Sequence, residues 1–331
     1  MISRLRSSRW PRVMFVLVAL AFCGYGLASQ RAQIGDALAR LSWWAIGGAL
    51  VTGLAGLGAS MLAWRSLLAG FGSPLPLPAA IRVMFLAQLG KYVPGSVWAL
   101  VGQVELAREH DVPRRRGAAA TLLAMAATIA TGCAVAAVTL PLTSAEATRR
   151  YWWLLPLAPV LLACLHPRVV TTLLNRTLAL VRRPPLEEAV GLAAMARAVG
   201  WSLLAWGLFG THTWLLARSL GDAGFLLSSG AYALAFTVGF LVIIAPGGLG
   251  AREAALVVAL APVLPSGGPL VVALASRVVL TAADLLWAGL AVLLRRTAAA
   301  GPGMDPRPAD LSPEPPEPLG PPEPPSTWER A

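Results

Sequence analysis

Apolar residues fill long runs of this chain, separated by Arg-bearing turns and, at two places, broken internally by Pro and Gly. About 20 apolar residues carry a helix across about 30 Å of hydrocarbon, so runs of this kind predict membrane-spanning helices. Val13–Leu27 is the first and shortest, preceded by four Arg within Met1–Arg12. Leu41–Leu68 is the second, entered through Trp43 and Trp44, which suit an interfacial aromatic belt. Along it Gly48, Thr52, Gly56 and Ser60 recur at every fourth position, a small-residue stripe that lets another helix approach closely. Arg65 near its inner end is expected to snorkel to the headgroups. Gly117–Leu140, Tyr151–His166, Ala198–Leu216 and Pro269–Leu294 are the third to sixth spans.

The two interrupted stretches are different. Ala79–Leu89 and Ser96–Ala107 flank Val93-Pro94-Gly95, and Phe225–Ile244 and Ala251–Leu264 flank Ala245-Pro246-Gly247-Gly248-Leu249-Gly250. Pro lacks the N–H and Gly is conformationally loose, so neither break continues a helix. A dozen residues make about 18 Å of helix, too little to cross. Arg82 before the first break and Arg108, Arg114, Arg115 and Arg116 after it place both ends of that unit in the cytoplasm. The fifth span ends outside and the last begins outside, so the second unit returns to its own side. The expected fold is an all-α polytopic membrane protein with about six spans and two re-entrant hairpins. Span–hairpin–span occurs twice in opposite orientations, over residues 41–140 and 198–294, an inverted repeat. Phe225–Ile244 is also long enough to cross alone, which leaves eight full spans as the alternative. Arg168–Arg197, rich in Arg and interrupted by Pro184-Pro185, reads as a cytoplasmic loop with a surface-lying helix.

Composition sharpens this picture. The chain is 56% hydrophobic and 13% charged, against about 25% charged in soluble domains, which fixes the membrane class. Its net charge of +11 divides unevenly. From residue 298 onward six acids face Arg307 and Arg330, giving that tail −4 and the membrane domain, residues 1–297, +15. Most Arg of the membrane domain fall in short loops, as topology signals and headgroup contacts rather than a nucleic-acid surface. Residues 298–331 run in Pro-Glu-Pro-Pro repeats and cannot bury enough apolar surface to fold. They read as a disordered cytoplasmic tail, a spacer or a strip that docks a cytoplasmic protein.

Candidate chemistry gathers at the breaks. Two half-helices begin there, at Ser96 and near Ala251, and their free N–H groups and positive dipole ends favour an anion. Broken backbone at membrane depth is tolerated only where protein or a watery cavity satisfies it. Lys91 is the only Lys among 27 basic residues. It could merely neutralise a helix C-terminus, but in an Arg-using chain a retained Lys points to a site wanting a compact cation. Arg252 suits a phosphate; Glu253, adjacent and about 100° away, suits either a cap or a ligand. Arg277 and Asp284 lie seven apart on one face of the last span, too far from each other to pair, so each needs another partner. Gln103 and Glu105 lie on the second limb of the first hairpin. His212 reads as a helix-packing histidine. Cys23, Cys133 and Cys164 stand singly, and the three His are dispersed, so no metal site or disulfide is expected. No GxxxxGK[ST], GxSxG or HExxH occurs, so neither an enzyme nor a cofactor is expected.

Gly90-Lys91-Tyr92-Val93-Pro94-Gly95-Ser96-Val97-Trp98 and Pro246-Gly247-Gly248-Leu249-Gly250-Ala251-Arg252-Glu253 resemble the paired motifs of the flippase-like membrane region of lysylphosphatidylglycerol synthetases and their stand-alone relatives. The resemblance runs from about Val13 to Arg296. Where many relatives carry Gly-Glu after the first motif, Gly102-Gln103 stands here; and no aminoacyl-transferase domain follows, only the Pro-rich tail. The resemblance therefore implies lipid translocation rather than aminoacyl-lipid synthesis. It places the protein in a bacterial inner membrane, both termini cytoplasmic, moving a phosphate-bearing lipid or polyprenyl-linked precursor between leaflets. The alternative is a non-transporting membrane subunit that docks a lipid or cell-envelope biosynthetic enzyme. The residues expected to bind the lipid are Lys91, Tyr92, Ser96, Gln103, Gly247, Gly248, Arg252, Glu253, Arg277 and Asp284, with Pro94, Gly95, Pro246 and Gly250 breaking the helices.

Overall fold

The computed structural model describes residues 39–92, 98–180, 190–241 and 250–299. The expected first span, the Pro-rich tail and most of both breaks lie outside them. The described residues form helices and no strand. In order these are α1 (Trp43–Gly70), α2 (Leu77–Gln88) with a 3-10 turn Leu89–Tyr92, α3 (Trp98–Arg108), α4 (Arg114–Thr139), α5 (Ala145–Tyr151), α6 (Leu157–Cys164), α7 (Pro167–Leu180), α8 (Leu192–Arg218), α9 (Phe225–Leu241), α10 (Ala251–Leu260) and α11 (Gly268–Ala299). By length and composition α1, α4, α8 and α11 can cross a membrane. The protein is a multi-pass helical membrane protein.

The centre of the bundle is the α1–α8 seam. A Cβ on Gly48 would meet Leu215 at 3.0 Å, and one on Gly56 would meet the Phe209 ring at 2.7 Å. The hydroxyls of Thr52 and Ser60 turn back onto Gly48 O and Gly56 O, so the whole stripe presents little bulk and hides its polar atoms. Trp64 of α1 and Trp206 of α8 each donate an indole N–H to a threonine of α4, Thr121 at 3.2 Å and Thr131 at 3.0 Å.

Each interrupted unit folds back on itself: α2 packs on α3, and α9 on α10. The ends of each unit also meet. Arg116 at the start of α4 donates to Gly72 O before α2, at 3.2 Å, and Arg82 pairs with Glu109 at 2.8 Å. Likewise Gly221 before α9 lies against Leu264 and Pro265 after α10. The two hairpins sit at opposite ends of the bundle. α2 shares an apolar cluster with the C-terminal part of α1 and the start of α8, through residues such as Phe71, Val83 and Ala194. α10 shares one with the start of α1 and the end of α8, through Ala49, Leu216 and Leu260. The contacts also exchange in pairs. α1 touches α4 as α8 touches α11; α1 touches α11 as α8 touches α4; α2 touches α11 as α9 touches α4.

Two expectations change. Tyr151–His166 is not one helix. Tyr151 closes α5, a 3-10 turn Trp152–Leu154 follows, and α6 then packs on α4. Thr148 bonds Pro141 O at one end and Leu165 joins the cluster around Phe71 at the other. Pro156 and Pro159 supply no N–H for the first turn of α6, so hydropathy alone overstates the helix here. Arg65 does not simply snorkel; its Nε donates to Leu75 O at 2.7 Å and closes the turn between α1 and α2.

Candidate functional site

α11 is the spine of the site. Seven residues are two turns, so Arg277 and Asp284 share a face, and each reaches a different hairpin. Asp284, almost wholly buried, accepts from Lys91 Nζ at 2.6 Å. Lys91 lies in the 3-10 turn after α2, so this pair ties the first hairpin to the last helix. Arg277 donates to Glu253 Oε1 at 2.5 Å and ties in the second hairpin. Around these pairs α11 is pinned by neutral contacts. Trp287, one turn beyond Asp284, stacks on Phe85 of α2 at 4.4 Å and donates to Leu54 O of α1 at 3.0 Å. Ser276, beside Arg277, bonds His212 Nε2 at 2.9 Å. His212 also lies 2.9 Å from Ala49 O, which can only accept, so Nδ1 carries the proton and Nε2 accepts from Ser276. His212 is a satisfied bridge between α1, α8 and α11, as expected of a packing histidine.

The second hairpin brings its two charges in on different faces. Glu253 occupies both roles open to it: Oε2 accepts from the Gly250 N–H at 2.7 Å, capping α10, while Oε1 holds Arg277. Gly250 itself has φ +84°, which a side chain would strain. Arg252 turns inward to Tyr232 of α9, donating to its hydroxyl at 3.0 Å with the guanidinium 4.9 Å from the ring centre. Gly239 makes this approach possible, because a Cβ there would sit 2.8 Å from Arg252 Cβ. In the first hairpin Gly90 does the same for the backbone: a Cβ would sit 2.8 Å from Ala99 N. Arg252 and Arg277 both lie within electrostatic reach of Lys91. Three cations and two carboxylates from both hairpins and α11 thus share one region.

Of the expected site residues, the structure unites Lys91, Arg252, Glu253, Arg277 and Asp284, with Gly250 at the head of α10. Gln103 stands apart, its amide donating to Met84 Sδ at 3.2 Å inside the first hairpin. Tyr92 is described only as part of the 3-10 turn, and Pro94, Gly95, Ser96, Pro246, Gly247 and Gly248 lie outside the described residues. Tyr232 is the participant that sequence reasoning missed. Its one signal is a phenol in an otherwise apolar run, whose hydroxyl needs a partner in hydrocarbon. Glu105 is exposed and ion-paired: it accepts from Arg108 at 2.9 Å and from both Nε and Nη2 of Arg114. These hydrogen bonds, Arg114's first, hold its carboxyl below the usual range. Among the described residues no cluster of His, Cys, Asp or Glu could hold a metal ion.

Long apolar helices joined by ion pairs inside the bundle define an integral, multi-pass membrane protein. The family model for the lysylphosphatidylglycerol synthase TM region matches residues 11–288, and the chain belongs to that family. No curated protein matches the chain.

Proposed function

We propose that this protein moves a phosphate-bearing lipid, a phospholipid or a polyprenyl-linked precursor, between the leaflets of a bacterial inner membrane, with both termini cytoplasmic and no covalent chemistry of its own. The observation that carries the reading is the meeting of Lys91, Arg252 and Arg277 with Asp284 and Glu253 at the two helix breaks. Ionisable groups inside a membrane protein are expensive and mark ligand or ion pathways. Five of them with an excess of one cation form a place for one anion, and phosphate is the anion that lipids carry.

The packing supports an alternating-access reading as well. On this reading α2–α3 and α9–α10 are re-entrant hairpins entered from opposite faces, and the exchange of contacts between halves reflects an inverted repeat of residues 41–140 and 198–294. The family relationship favours a lipid as cargo, since the family is named for the membrane region of a lipid synthase.

Reconstitution of the purified protein with labelled phospholipids and polyprenyl phosphates tests the reading. Lys91→Ala and Arg252→Ala should each weaken headgroup binding by about 2–5 kcal/mol, the usual cost of truncating one member of a buried charged set. Translocation at wild-type rates in both variants, at equal abundance and thermal stability, would overturn it.

A further inference from the structure

The two carboxylates of the cluster are held differently. Glu253 places one oxygen on the Gly250 N–H and the other on Arg277, so its anchorage lies within the second hairpin and α11. Asp284 is almost wholly buried and forms an ion pair with Lys91, 2.6 Å away. On the transport reading Lys91 also serves the lipid phosphate. A phosphate oxygen held by the same ammonium stands about 2.8 Å from Nζ, and hence no more than about 5.4 Å from Asp284 Oδ2. Two anions that close, away from water, do not both stay ionised. A carboxylate is a stronger base than a phosphodiester, so the carboxylate is the one that takes a proton.

The surroundings leave this part to Asp284. α1, α2, α8 and α10 pack on α11. Lys91 follows α2, and α10 contributes Arg252 and Glu253. α8 contributes His212, both of whose ring nitrogens are engaged. Tyr232 of α9 lies within electrostatic reach of Asp284. The other described charges of these helices face elsewhere: Arg65 bonds Leu75 O, Arg82 pairs with Glu109, Arg197 bonds Ala193 O and Arg218 stacks on Trp214. Cations and a neutral phenol accept no proton here, and Glu253 keeps Arg277 beside it.

We infer that Asp284 carries the proton of a lipid–proton symport: it is ionised against Lys91 when the site is empty and protonated when a lipid phosphate shares Lys91. This rests on the transport reading and adds its energy source. The charges balance. Empty, the cluster sets three cations against two carboxylates, a net +1. Loaded with a phosphodiester and a proton, the same cations face Glu253 and the phosphate, again +1. Both forms carry one charge, so the membrane potential does not distinguish them and the pH gradient sets the direction. An acidic outer face therefore draws lipid from the outer leaflet to the inner. The proton comes from water on the side where the site opens and returns to water on the other, as Asp284 pairs with Lys91 again.

Full-length protein in proteoliposomes tests this, with labelled phosphatidylglycerol or a labelled polyprenyl phosphosugar, both phosphodiesters. At equilibrium lipid should collect in the leaflet on the alkaline side, by about tenfold per unit of pH difference for one proton per lipid. A potassium diffusion potential alone should leave the two leaflets even. Asp284→Asn keeps an oxygen for Lys91 but takes no proton, so its empty and loaded forms differ in charge. In this variant the pH gradient should no longer sort the lipid and the potential should. Should Asp284→Asn fail to fold, the wild type decides: in weakly buffered detergent, a pH indicator should register close to one proton taken up per lipid bound. Lipid that binds without proton uptake and stays even across a pH gradient would overturn the symport and leave transport standing. Sorting by the pH gradient that survives Asp284→Asn would overturn the assignment to Asp284. If the wild-type protein neither binds nor moves either lipid, the transport reading fails and takes this one with it.

Discussion

Lys91 and Asp284 hold each other in place across the two halves of the molecule, and that makes their structural and functional roles separable. Breaking a buried pair by removing one partner costs about 3–5 kcal/mol, whereas replacing both by apolar residues is often neutral. Lys91→Met alone should therefore lower the thermal unfolding midpoint sharply. Adding Asp284→Leu should restore most of the stability and none of the lipid movement, because the cation for the phosphate is still missing. Midpoints in detergent beside translocation in proteoliposomes measure both; a double variant as unstable as the single would show that the pair is not what Lys91 stabilises. These residues were legible as residues. Lys91 stood out by rarity, Arg277 and Asp284 by lying charged in an apolar run, and their spacing ruled out a mutual pair. The partners were not legible, because Lys91 finds Asp284 and Arg277 finds Glu253 only once the hairpins and α11 are packed together. Tyr232 was invisible for a related reason: apolar periodicity counts an aromatic ring as core, and only Arg252 gives its hydroxyl a role.

Elements were legible where backbone chemistry decided them. Both hairpins follow from Pro and Gly set between apolar limbs, three of them too short to cross, while the α5–α6 stretch misled because hydropathy scores side chains and ignores the N–H groups that Pro156 and Pro159 lack. The α1–α8 seam gives a sharp test of close packing. Gly56→Ala drives a methyl into the Phe209 ring, which is itself buried, and should cost about 1–3 kcal/mol as overpacking does. Gly47, one helix face away, has nothing within 4 Å, and Gly47→Ala should be neutral or slightly stabilising through its better helix propensity. Equal effects of the two in thermal unfolding would mean that the seam does not depend on the stripe. The join between α3 and α4 is electrostatic instead. Glu105 is held below its ordinary pKa by hydrogen bonds from Arg114 and Arg108, so its contribution to stability is present above that ordinary value, about 4.3. It is lost as the pH falls through the depressed one. Unfolding midpoints titrated into this acid range should fall less steeply in Glu105→Gln than in the wild type, and parallel curves would remove the linkage.

For the molecule as a whole, the two hairpins occupy opposite ends of one bundle, each with its entry and exit in contact. That arrangement supports the proposed reading of six spans with two re-entrant hairpins over the alternative of eight full spans, which hydropathy leaves level with it. α9, at 17 residues, is about 26 Å long and could nearly cross alone. α10, at 10 residues, is about 15 Å and could not. An eight-span chain would need the loops before α9 and after α10 on opposite faces of the membrane, yet Gly221 packs against Leu264 and Pro265. With Arg116 bonded to Gly72 O at the other end of the bundle, the first hairpin is closed in the same way from the opposite side. On the proposed reading, the positive charge around that end, at Arg108, Arg114, Arg115 and Arg116, makes it the cytoplasmic one. Single cysteines at Asp222 and Ser266, introduced after replacing the three native ones, should therefore both react with a membrane-impermeant maleimide added to intact cells. A cysteine at Glu109 should react only after the membrane is opened. Labelling of Asp222→Cys and Ser266→Cys from opposite faces would restore the eight-span chain. The phosphate site would then lose its basis, because Lys91 and Arg252 would no longer stand on hairpins that meet from opposite sides of the membrane.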